Sequence, residues 1–383
     1  NYTAGMPFSG SGQFFGCLVP CFNFCCRTKP KMTQSIPDLE SSAPSLSNAQ
    51  RWNQFIAPVL LSSTELSKLF AMSLIVSPFF GLPGIFFLFC MHILSIQTVG
   101  ADSADKHGIS SVSSSRLGGV SIAIMMCAYV GFTFVTSIEP LALNATEQLG
   151  LIAVMSMAFL GLTEDLRPDC LSPLLRLAAQ VVFMGGVLLA SQSYIPDSLG
   201  LPLVDYLLGF PLASWILCTI FAVGFVNAVN MADGANGLVS GVVFLCSVIF
   251  HSIIGAFIWE VLSIVTGVFL LFNVISGRLF LGDAGAYGLG SILVLGGFYA
   301  VDTNWISIEF AAVMMSYPCI ELVASILRRA KAKRSIFKPD NFHLHNVVYA
   351  RLEQTLTSKV LANSLAGILI AFGSTGVAFL GHY

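Results

Sequence analysis

The chain has 383 residues, of which 55% are hydrophobic and only 10% are charged, and its mean hydropathy is +0.82. Soluble globular proteins are usually about 25% charged, so this composition excludes a soluble fold of this size. The 18 basic residues are balanced by 20 acidic ones, which argues against nucleic acid as a partner, because binding to phosphate backbones needs an excess of basic residues. The sequence therefore predicts an all-α, polytopic integral membrane protein.

The N-terminal segment, residues 1–65, is predicted to be a lead outside the fold, disordered or partly non-native. Met32 opens a polar stretch rich in Ser, Pro and Glu and is a candidate natural start. The apolar stretch before it is broken by Gly and Pro and lacks a basic region, which makes it a poor signal peptide. Its cysteines lack paired spacing and a partner histidine, which argues against a metal site. Residues 66–383 are predicted to form the transmembrane domain.

Ten apolar segments are long enough to cross a hydrocarbon core of about 30 Å. They lie at residues 69–94, 117–137, 149–163, 174–192, 212–230, 237–257, 259–276, 287–303, 306–327 and 359–380. The stretch 237–276 is nearly continuous and is divided only around Trp259 and Glu260. The sequence thus predicts about ten transmembrane helices.

Lysine and arginine fall into the loops that follow odd-numbered segments. Lys106 and Arg116 follow the first segment, Arg167 the third and Arg278 the seventh. A larger group follows the ninth segment: Arg328, Arg329, Lys331, Lys333, Arg334, Lys338 and Arg351. By the positive-inside rule these loops are predicted to be cytoplasmic. The basic residues of the N-terminal lead oppose this orientation, so an extra helix or a non-native leader stays open.

Four carboxylates lie at the membrane ends of the segments, where charge is costly and a functional role is the default interpretation. Glu164 and Asp165 close the third segment, Asp233 follows the fifth, and Asp283 lies between the seventh and the eighth. All four fall in the loops predicted to be cytoplasmic. Acids gathered at one face beside a basic loop suit a polyanion and a divalent cation. The alternative for each acid alone is a solvated interfacial residue.

Other polar residues in these loops also have two interpretations. Asparagines near helix ends could bind substrate or cap the helices, and histidines could be ordinary loop residues. Glycines could simply pack helices together. The residues concerned are Asn227, Asn230, Asn236, His343, His345 and the stretch from Gly282 to Gly290. One active site accounts for all of them together, whereas the alternatives need a separate reason for each.

Motifs in one consistent order, covering residues 90–350, resemble the polyprenyl-phosphate N-acetylhexosamine-1-phosphate transferases of the MraY/WecA type, glycosyltransferase family 4. They are SRLGG with the preceding Lys106 and His107, GLTEDL continued by Leu171, Arg176 and Gln180, NAVNMADGANGL, the pair Phe272 and Asn273 ahead of FLGDAG, and FHLHN. The SRLGG and HLH forms are more similar to the WecA-like branch. The resemblance implies a transmembrane enzyme with one active site on one face.

The implied reaction is the attack of polyprenyl (undecaprenyl) phosphate on the β-phosphorus of a UDP-N-acetylhexosamine, with release of UMP. It would be the first membrane step of a cell-envelope glycan such as cell wall or lipopolysaccharide. The implied cofactor is Mg²⁺, with Mn²⁺ as the alternative ion. The implied location is the bacterial inner membrane, with the active site on the cytoplasmic face, and a homodimer is an open expectation.

The resemblance also implies roles for individual residues. Asp283 is the first choice as metal ligand with Asp233 beside it, while Asp165 and Glu164 face the lipid phosphate and take its last proton. The substrate-binding residues that it implies are Asn227, Asn230, Asn236, Asn273, His343, His345, Arg328, Arg329, Lys106, His107 and Arg116. The arginine cluster has a plain positive-inside signal as its alternative interpretation.

Four positions depart from the family pattern. Glu164 stands where the family usually has Asp, and Asn236 replaces a second Asp. Ala286 replaces a frequent Ser, and Asn346 follows His345 where another His is common. These departures keep a non-catalytic relative open as an alternative. A secondary transporter is the other alternative, because broken helices and intramembrane acids also occur in transporters, although the sequence shows no repeated halves.

Overall fold

The computed structural model describes residues 82–96, 101–102, 114–136, 143–333 and 342–382. The chain divides into two units, Asn1–Leu82 and Pro83–Tyr383, and nearly all described residues belong to the second. The predicted N-terminal lead at residues 1–65 lies outside the described residues, and so do Lys106 and His107.

The described part of the chain is almost entirely helical, which confirms the predicted all-α class. Its helices are α1 Leu82–Ser95, α2 Gly118–Thr136, α3 Ala145–Leu166, α4 Pro173–Ala190, α5 Pro202–Leu208, α6 Pro211–Ala232, α7 Leu238–Ile254, α8 Phe257–Ser276, α9 Gly282–Asp302, α10 Ile308–Met314, α11 Ser316–Lys331, α12 Leu344–Glu353 and α13 Lys359–His382. A 3₁₀ turn lies at Gln192–Tyr194. Two short antiparallel strands, β1 Ala101–Asp102 and β2 Ser114–Ser115, pair ahead of α2.

Helix length and composition confirm a polytopic membrane protein. Among the described residues, six helices are long and apolar enough to cross a membrane, namely α3, α4, α6, α8, α9 and α13. The bent pair α10 and α11 makes up to seven, and shorter apolar helices lie at Pro83–Ser95, Gly118–Gly131 and Leu238–Ile254. Each of the ten predicted segments therefore contains an apolar helix or, for the ninth, a bent pair of helices, while six or seven full-length spans lie within the described ranges.

Helix α9 is the centre of the bundle and packs against α2, α3 and α6. In its most apolar stretch 78% of the residues are buried, against 28% for the peripheral α4. Glycines allow this close packing. The backbones of Gly119 in α2 and Gly285 in α9 touch, and Gly161 in α3 lies against the carbonyl group of Asp283, so a methyl group at Gly119 or Gly161 would overlap α9.

We expect Gly161→Ala to destabilise the protein by about 1–3 kcal/mol, because the added methyl group would push the first turn of α9 away from α3. Gly186→Ala in α4 is the matched control, since a methyl group there would meet open space. The measurement is the thermal midpoint of the purified protein in detergent. Equal midpoints for the two variants would contradict the close contact.

The ninth predicted segment, 306–327, is not one straight helix. Helices α10 and α11 meet at Met315 with a bend of 73°. Pro318 explains the break, because its ring lacks the N–H that would otherwise bond to the carbonyl group of Met314, four residues earlier. The Thr375 hydroxyl of α13 donates to that carbonyl group instead, at 2.9 Å. A hydroxyl from a neighbouring helix thus satisfies the backbone group that the proline releases.

Two other boundaries differ from the prediction. The break inside the stretch 237–276 lies at Gly255 and Ala256, a few residues before Trp259, and Gly255 has the left-handed conformation that ends α7 (φ +71°). The eighth predicted segment begins at residue 287, whereas α9 begins at Gly282. Asp283 therefore lies in the first turn of a helix and not in a loop.

Candidate active site

Asp165 joins the GLTEDL motif to the FLGDAG motif. It lies in the last turn of α3, is fully buried, and accepts hydrogen bonds from the backbone N–H groups of Asp283 (2.9 Å) and Ala284 (2.8 Å). Both carboxylate oxygens thus cap the N-terminus of α9, where unpaired N–H groups and the helix dipole favour a negative charge. This position supports a role for Asp165 in holding α9 more directly than the predicted role of proton acceptor.

Asp233 and Asp283 lie at the same turn. Asp233 follows α6 as its C-cap residue, and its carboxylate accepts a hydrogen bond from the backbone N–H of Gly282. The Asp283 carboxylate accepts a hydrogen bond from the side chain of Asn230, in the last turn of α6. The positive charge of Arg116 acts on both carboxylates. The structure therefore brings these four predicted site residues together.

Negative charge is concentrated around Asp233. Burial, with the neighbouring carboxylates of Asp165 and Asp283, raises the pKa of Asp233 to about 7. The Gly282 N–H and the Arg116 charge oppose this rise. A positive ion bound at this turn would stabilise the ionised carboxylate.

Arg176 connects two of the predicted acids. It lies in the second turn of α4, with its Nη1 atom 3.4 Å from Glu164 Oε1 and 3.6 Å from Asp283 Oδ2. Glu164 also accepts a hydrogen bond from the backbone N–H of Asp169 at 2.8 Å, which shapes the turn after α3. The Arg176 side chain is about one quarter exposed, so its charge faces the open side of the acidic turn.

The first histidine of FHLHN is held by α11. The buried Glu321 accepts from His343 Nδ1 through Oε1, at 3.0 Å, and from the backbone N–H of Leu344 through Oε2, also at 3.0 Å. Arg328, two turns further along α11, donates to the same Oε1 at 3.0 Å. His343 is the residue that precedes α12 as its N-cap. Glu321 therefore fixes both the imidazole ring and the start of the helix.

The second histidine connects this motif to the acidic turn. The His345 ring is buried and stacks on the His343 ring, with centroids 5.4 Å apart. Its Nδ1 lies 3.3 Å from the Tyr317 hydroxyl, and its Nε2 lies against Gly234, next to Asp233. A methyl group at Gly234 would overlap the ring. In the described part of the chain, the histidine motif and the acidic turn thus lie next to each other, while their common function in one site stays a prediction.

Two predicted substrate-binding asparagines are instead buried in the helix packing. Asn273 accepts from the backbone N–H of Gly237 and donates to the carbonyl group of Leu279 at 2.7 Å. These bonds hold the loop before α7 and the turn before α9 together. The structure therefore favours a structural role for Asn273 over the predicted contact with phosphate or nucleotide.

Asn236 lies in a second buried network, with α13. Its backbone N–H donates to Asn363 Oδ1 at 3.0 Å, and its side-chain amide donates to Ser364 Oγ at 3.2 Å. The Ser364 hydroxyl donates in turn to the carbonyl group of Val274, at 2.8 Å. Asn236 is only 2% exposed, so it too is placed to support the site and not to contact substrate.

Two further predicted residues lie on helices that supply the site. Asn227, one turn before Asn230, donates to Gln180 Oε1 of α4 at 2.6 Å and to the carbonyl group of Val223 at 2.8 Å. Arg329 follows Arg328 in the last turn of α11. The amide of Asn227 therefore links α6 to α4 beside the acidic turn, which supports a packing role.

Glu321 is the residue that sequence reasoning missed. It is an acid inside the apolar segment 306–327, and an acid in that setting is a functional candidate by default. Arg176 was recognised only as the continuation of a motif and not as a site residue. Its signal was a single arginine eleven residues after Asp165, inside an apolar segment.

The acidic turn fits a divalent cation whose coordination substrate would complete. In the described part of the chain, no three His, Cys, Asp or Glu side chains form a ready metal-binding group. Mg²⁺ commonly takes only one or two protein carboxylates and fills its shell with water and substrate phosphates. Asp283 and Asp233 supply two carboxylates, whereas both oxygens of Asp165 already accept backbone N–H groups.

Sequence comparison identifies relatives of this chain. Residues 148–300, which span most of α3 to α9 and all four predicted acids, match the family model of glycosyl transferase family 4. An undecaprenyl-phosphate alpha-N-acetylglucosaminyl 1-phosphate transferase of Thermotoga maritima is 30% identical over 148 residues, 39% of this chain. The match spans about half of that relative, 47% of its length.

Longer matches have lower identity. A probable undecaprenyl-phosphate N-acetylglucosaminyl 1-phosphate transferase of Bacillus subtilis is 26% identical over 67% of this chain and 72% of its own length. A phospho-N-acetylmuramoyl-pentapeptide-transferase of Listeria monocytogenes is 26% identical over 74% of this chain and 90% of its own length. The first two relatives support the WecA-like branch. The motifs, their convergence and these matches together make the chain similar to glycosyl transferase family 4, with residues 148–300 as the part that matches the family model.

Proposed function

We propose that this protein transfers N-acetylhexosamine 1-phosphate from a UDP-sugar to polyprenyl phosphate, with undecaprenyl phosphate as the acceptor in a bacterial inner membrane. The observation that carries the proposal is the acidic turn at the start of α9. There Asp165, Asp233 and Asp283 meet beside Arg176, at one end of an apolar helical bundle. The names of the relatives support the acceptor lipid and give the transporter alternative no support. A homodimer stays a prediction.

The reaction needs positioning and charge more than a strong base. An oxygen of the lipid phosphate attacks the β-phosphorus of the UDP-sugar and forms a new P–O bond. The bond from that phosphorus to the bridging oxygen breaks, and UMP leaves with the electron pair. A phosphate monoester has a second pKa near 6, so the lipid phosphate is mostly dianionic at neutral pH. Bound Mg²⁺, or Mn²⁺ as the alternative ion, supplies positive charge to the diphosphate.

Different residues of the chain would bind the ion, orient its ligands and bind the phosphates. Asp283 and Asp233 would hold the ion, and Asn230 orients the Asp283 carboxylate. Arg176 faces the same turn and is placed to bind phosphate oxygens in the way that guanidinium groups usually do. His343, with the arginines at the end of α11, is the proposed contact to the nucleotide phosphates.

Substrate identity can be tested directly. Purified protein is incubated with undecaprenyl phosphate, Mg²⁺ and a panel of UDP-N-acetylhexosamines, and UMP release is followed. We expect UMP to appear with at least one sugar nucleotide and only when the lipid phosphate is present. UMP release that does not depend on the lipid, or no release with any sugar, would contradict the proposal and leave the non-catalytic alternative.

The location of the site on the cytoplasmic face is a further prediction, based on the alternation of basic loops. We expect thiol labels on the native Cys170 and on Arg278→Cys, both exposed beside the acidic turn, to react from the cytoplasmic side. Labels on Asn144→Cys and Thr303→Cys, at the opposite ends of α3 and α9, should react from the outside. Membrane-impermeant maleimide in sealed vesicles of each orientation, with the other cysteines replaced, measures this. Labelling of Cys170 and Arg278→Cys from opposite sides would exclude a single site.

A further inference from the structure

We infer that Glu321 is a positioning residue that fixes the imidazole ring of His343, so that its Nε2 atom meets a phosphate oxygen of the nucleotide substrate. The inference rests on the proposed function for the identity of that substrate. The arrangement of Glu321, Arg328 and His343 is itself a feature of the structure.

The position of Glu321 calls for a specific role. It lies in the second turn of α11, just after the bend at Met315, and is only 4% exposed. A buried carboxylate is costly unless its oxygens accept hydrogen bonds from charged or backbone donors. Replacing a whole buried ion pair with well-packed apolar residues is often neutral or favourable, so stability alone does not explain why this pair is present.

The hydrogen-bond donors to the Glu321 carboxylate all belong to the histidine motif or to Arg328. Oε1 accepts from His343 Nδ1 and from Arg328, and Oε2 accepts from the backbone N–H of Leu344. Arg328 also donates to Ser325 Oγ at 2.7 Å, which fixes the guanidinium group. One carboxylate thus sets the ring of His343, the first N–H of α12 and the direction of Arg328.

These contacts determine which ring nitrogen of His343 carries the proton. A carboxylate only accepts hydrogen bonds, so the Nδ1 atom that faces Oε1 must be protonated. In the neutral ring Nε2 is then an acceptor, and in the protonated ring it is a donor directed at an anion. Metal-binding histidines are commonly oriented in this way by a second residue, whose removal typically costs about 10–100-fold in metal affinity or activity. We expect a cost of the same order for a histidine that binds phosphate.

The oriented ring is separated from the acidic turn by one stacked ring, that of His345. The His343 ring is nearly parallel to that of His345, with an interplanar angle of 10°. His345 in turn lies against Gly234, the residue after Asp233. The histidine motif therefore approaches the acidic turn through this pair of rings, and Glu321 fixes the outer ring of the pair.

Nuclear magnetic resonance tests the orientation without any activity measurement. The chain has six histidines, and ¹⁵N labelling of histidine, with His343→Gln for assignment, gives the tautomer of this ring at alkaline pH. We expect the Nδ1–H form in the wild type and loss of the single form in Glu321→Gln, because a Gln amide can donate as well as accept. An Nε2–H form in the wild type would overturn the inference even if Glu321→Gln did not fold.

Kinetics test the consequence for substrate. We expect Glu321→Gln to raise KM for the UDP-sugar by about 10–100-fold with little change in KM for the lipid phosphate. In a His343→Gln background the same change should cost less than about threefold, because both residues act through one contact. Glu353→Gln is the matched control, a partly exposed glutamate at the end of α12 whose partner is Lys359. Thermal midpoints are recorded for every variant.

The outcomes separate the two proposals. Additive losses in the double variant, or equal effects on both substrates, would overturn the positioning role of Glu321 while leaving the transferase intact. Absence of UMP release with every UDP-sugar, together with the expected tautomer, would overturn the proposed function and leave Glu321 as the residue that orients His343.

Discussion

Asp283→Asn should lower turnover by about a hundredfold or more at ordinary Mg²⁺ concentrations. Asn keeps an oxygen at the acidic turn but loses the charge that would hold a divalent cation against the diphosphate. The stability of the fold should not decrease. Asp283 lies close to two other carboxylates and contributes only its backbone N–H to the cap of α9. Loss of its charge therefore relieves repulsion, which offsets the loss of its attraction to Arg176 and Arg116. We expect the thermal midpoint to be unchanged or higher.

The measurement is UMP release against Mg²⁺ concentration, with the thermal midpoint in detergent recorded alongside. Asp302→Asn, at the opposite end of α9, is the matched control and should behave like the wild type in turnover. Near-normal turnover of Asp283→Asn at ordinary Mg²⁺ would remove Asp283 as the metal ligand and transfer that role to Asp233.

Asp165→Asn should lower both stability and turnover, which distinguishes it from Asp283→Asn. An Asn side chain has only one acceptor oxygen. Its NH₂ group would therefore face one of the two backbone N–H groups that now donate to Asp165. A buried donor without a partner costs about 1–3 kcal/mol. The first turn of α9 would loosen, and Asp283 would move with it. A residue that acted only as a proton acceptor would lose turnover without losing stability.

Thermal midpoint and UMP release are measured together for this variant as well. Asp169→Asn is the control, because Asp169 is exposed in the same turn and has a positive φ of 62°, which Asn tolerates. We expect the control to match the wild type in both measurements. A wild-type midpoint for Asp165→Asn with turnover abolished would restore the proton acceptor as the better interpretation.

Hydropathy and motif order predicted the helices and the meeting of the acids, because apolar length and loop position are local properties of the sequence. The start of α9 was not predictable in this way. Residues 282–286 are glycine-rich and weakly apolar, and they begin the helix because Asp165, 118 residues earlier in the chain, accepts their N–H groups. When the capping residue belongs to another helix, the capped segment contains no sequence signal for its own start.

The roles of single polar residues were the least predictable part. Asn273 and Glu321 both interrupt apolar segments, yet one is occupied in helix packing and the other holds the histidine motif. Residue type and spacing do not reveal which neighbour each side chain faces. The bend at Met315 was in principle visible, since Pro318 lies inside the segment, but its stability depends on a hydroxyl from Thr375 in the last helix.

The hydrogen bonds around Asn236 run in one donor-to-acceptor order, and this order limits which residues can replace Asn236 in evolution. The Asn236 amide donates to the Ser364 hydroxyl, which donates onward to the carbonyl group of Val274. An aspartate at position 236, as the family pattern has it, could only accept, so the hydroxyl would have to turn away from Val274 and leave that carbonyl group unpaired. We therefore expect relatives with aspartate here to carry a different residue at the position of Ser364, so that the last helix changes together with a motif that lies more than a hundred residues before it.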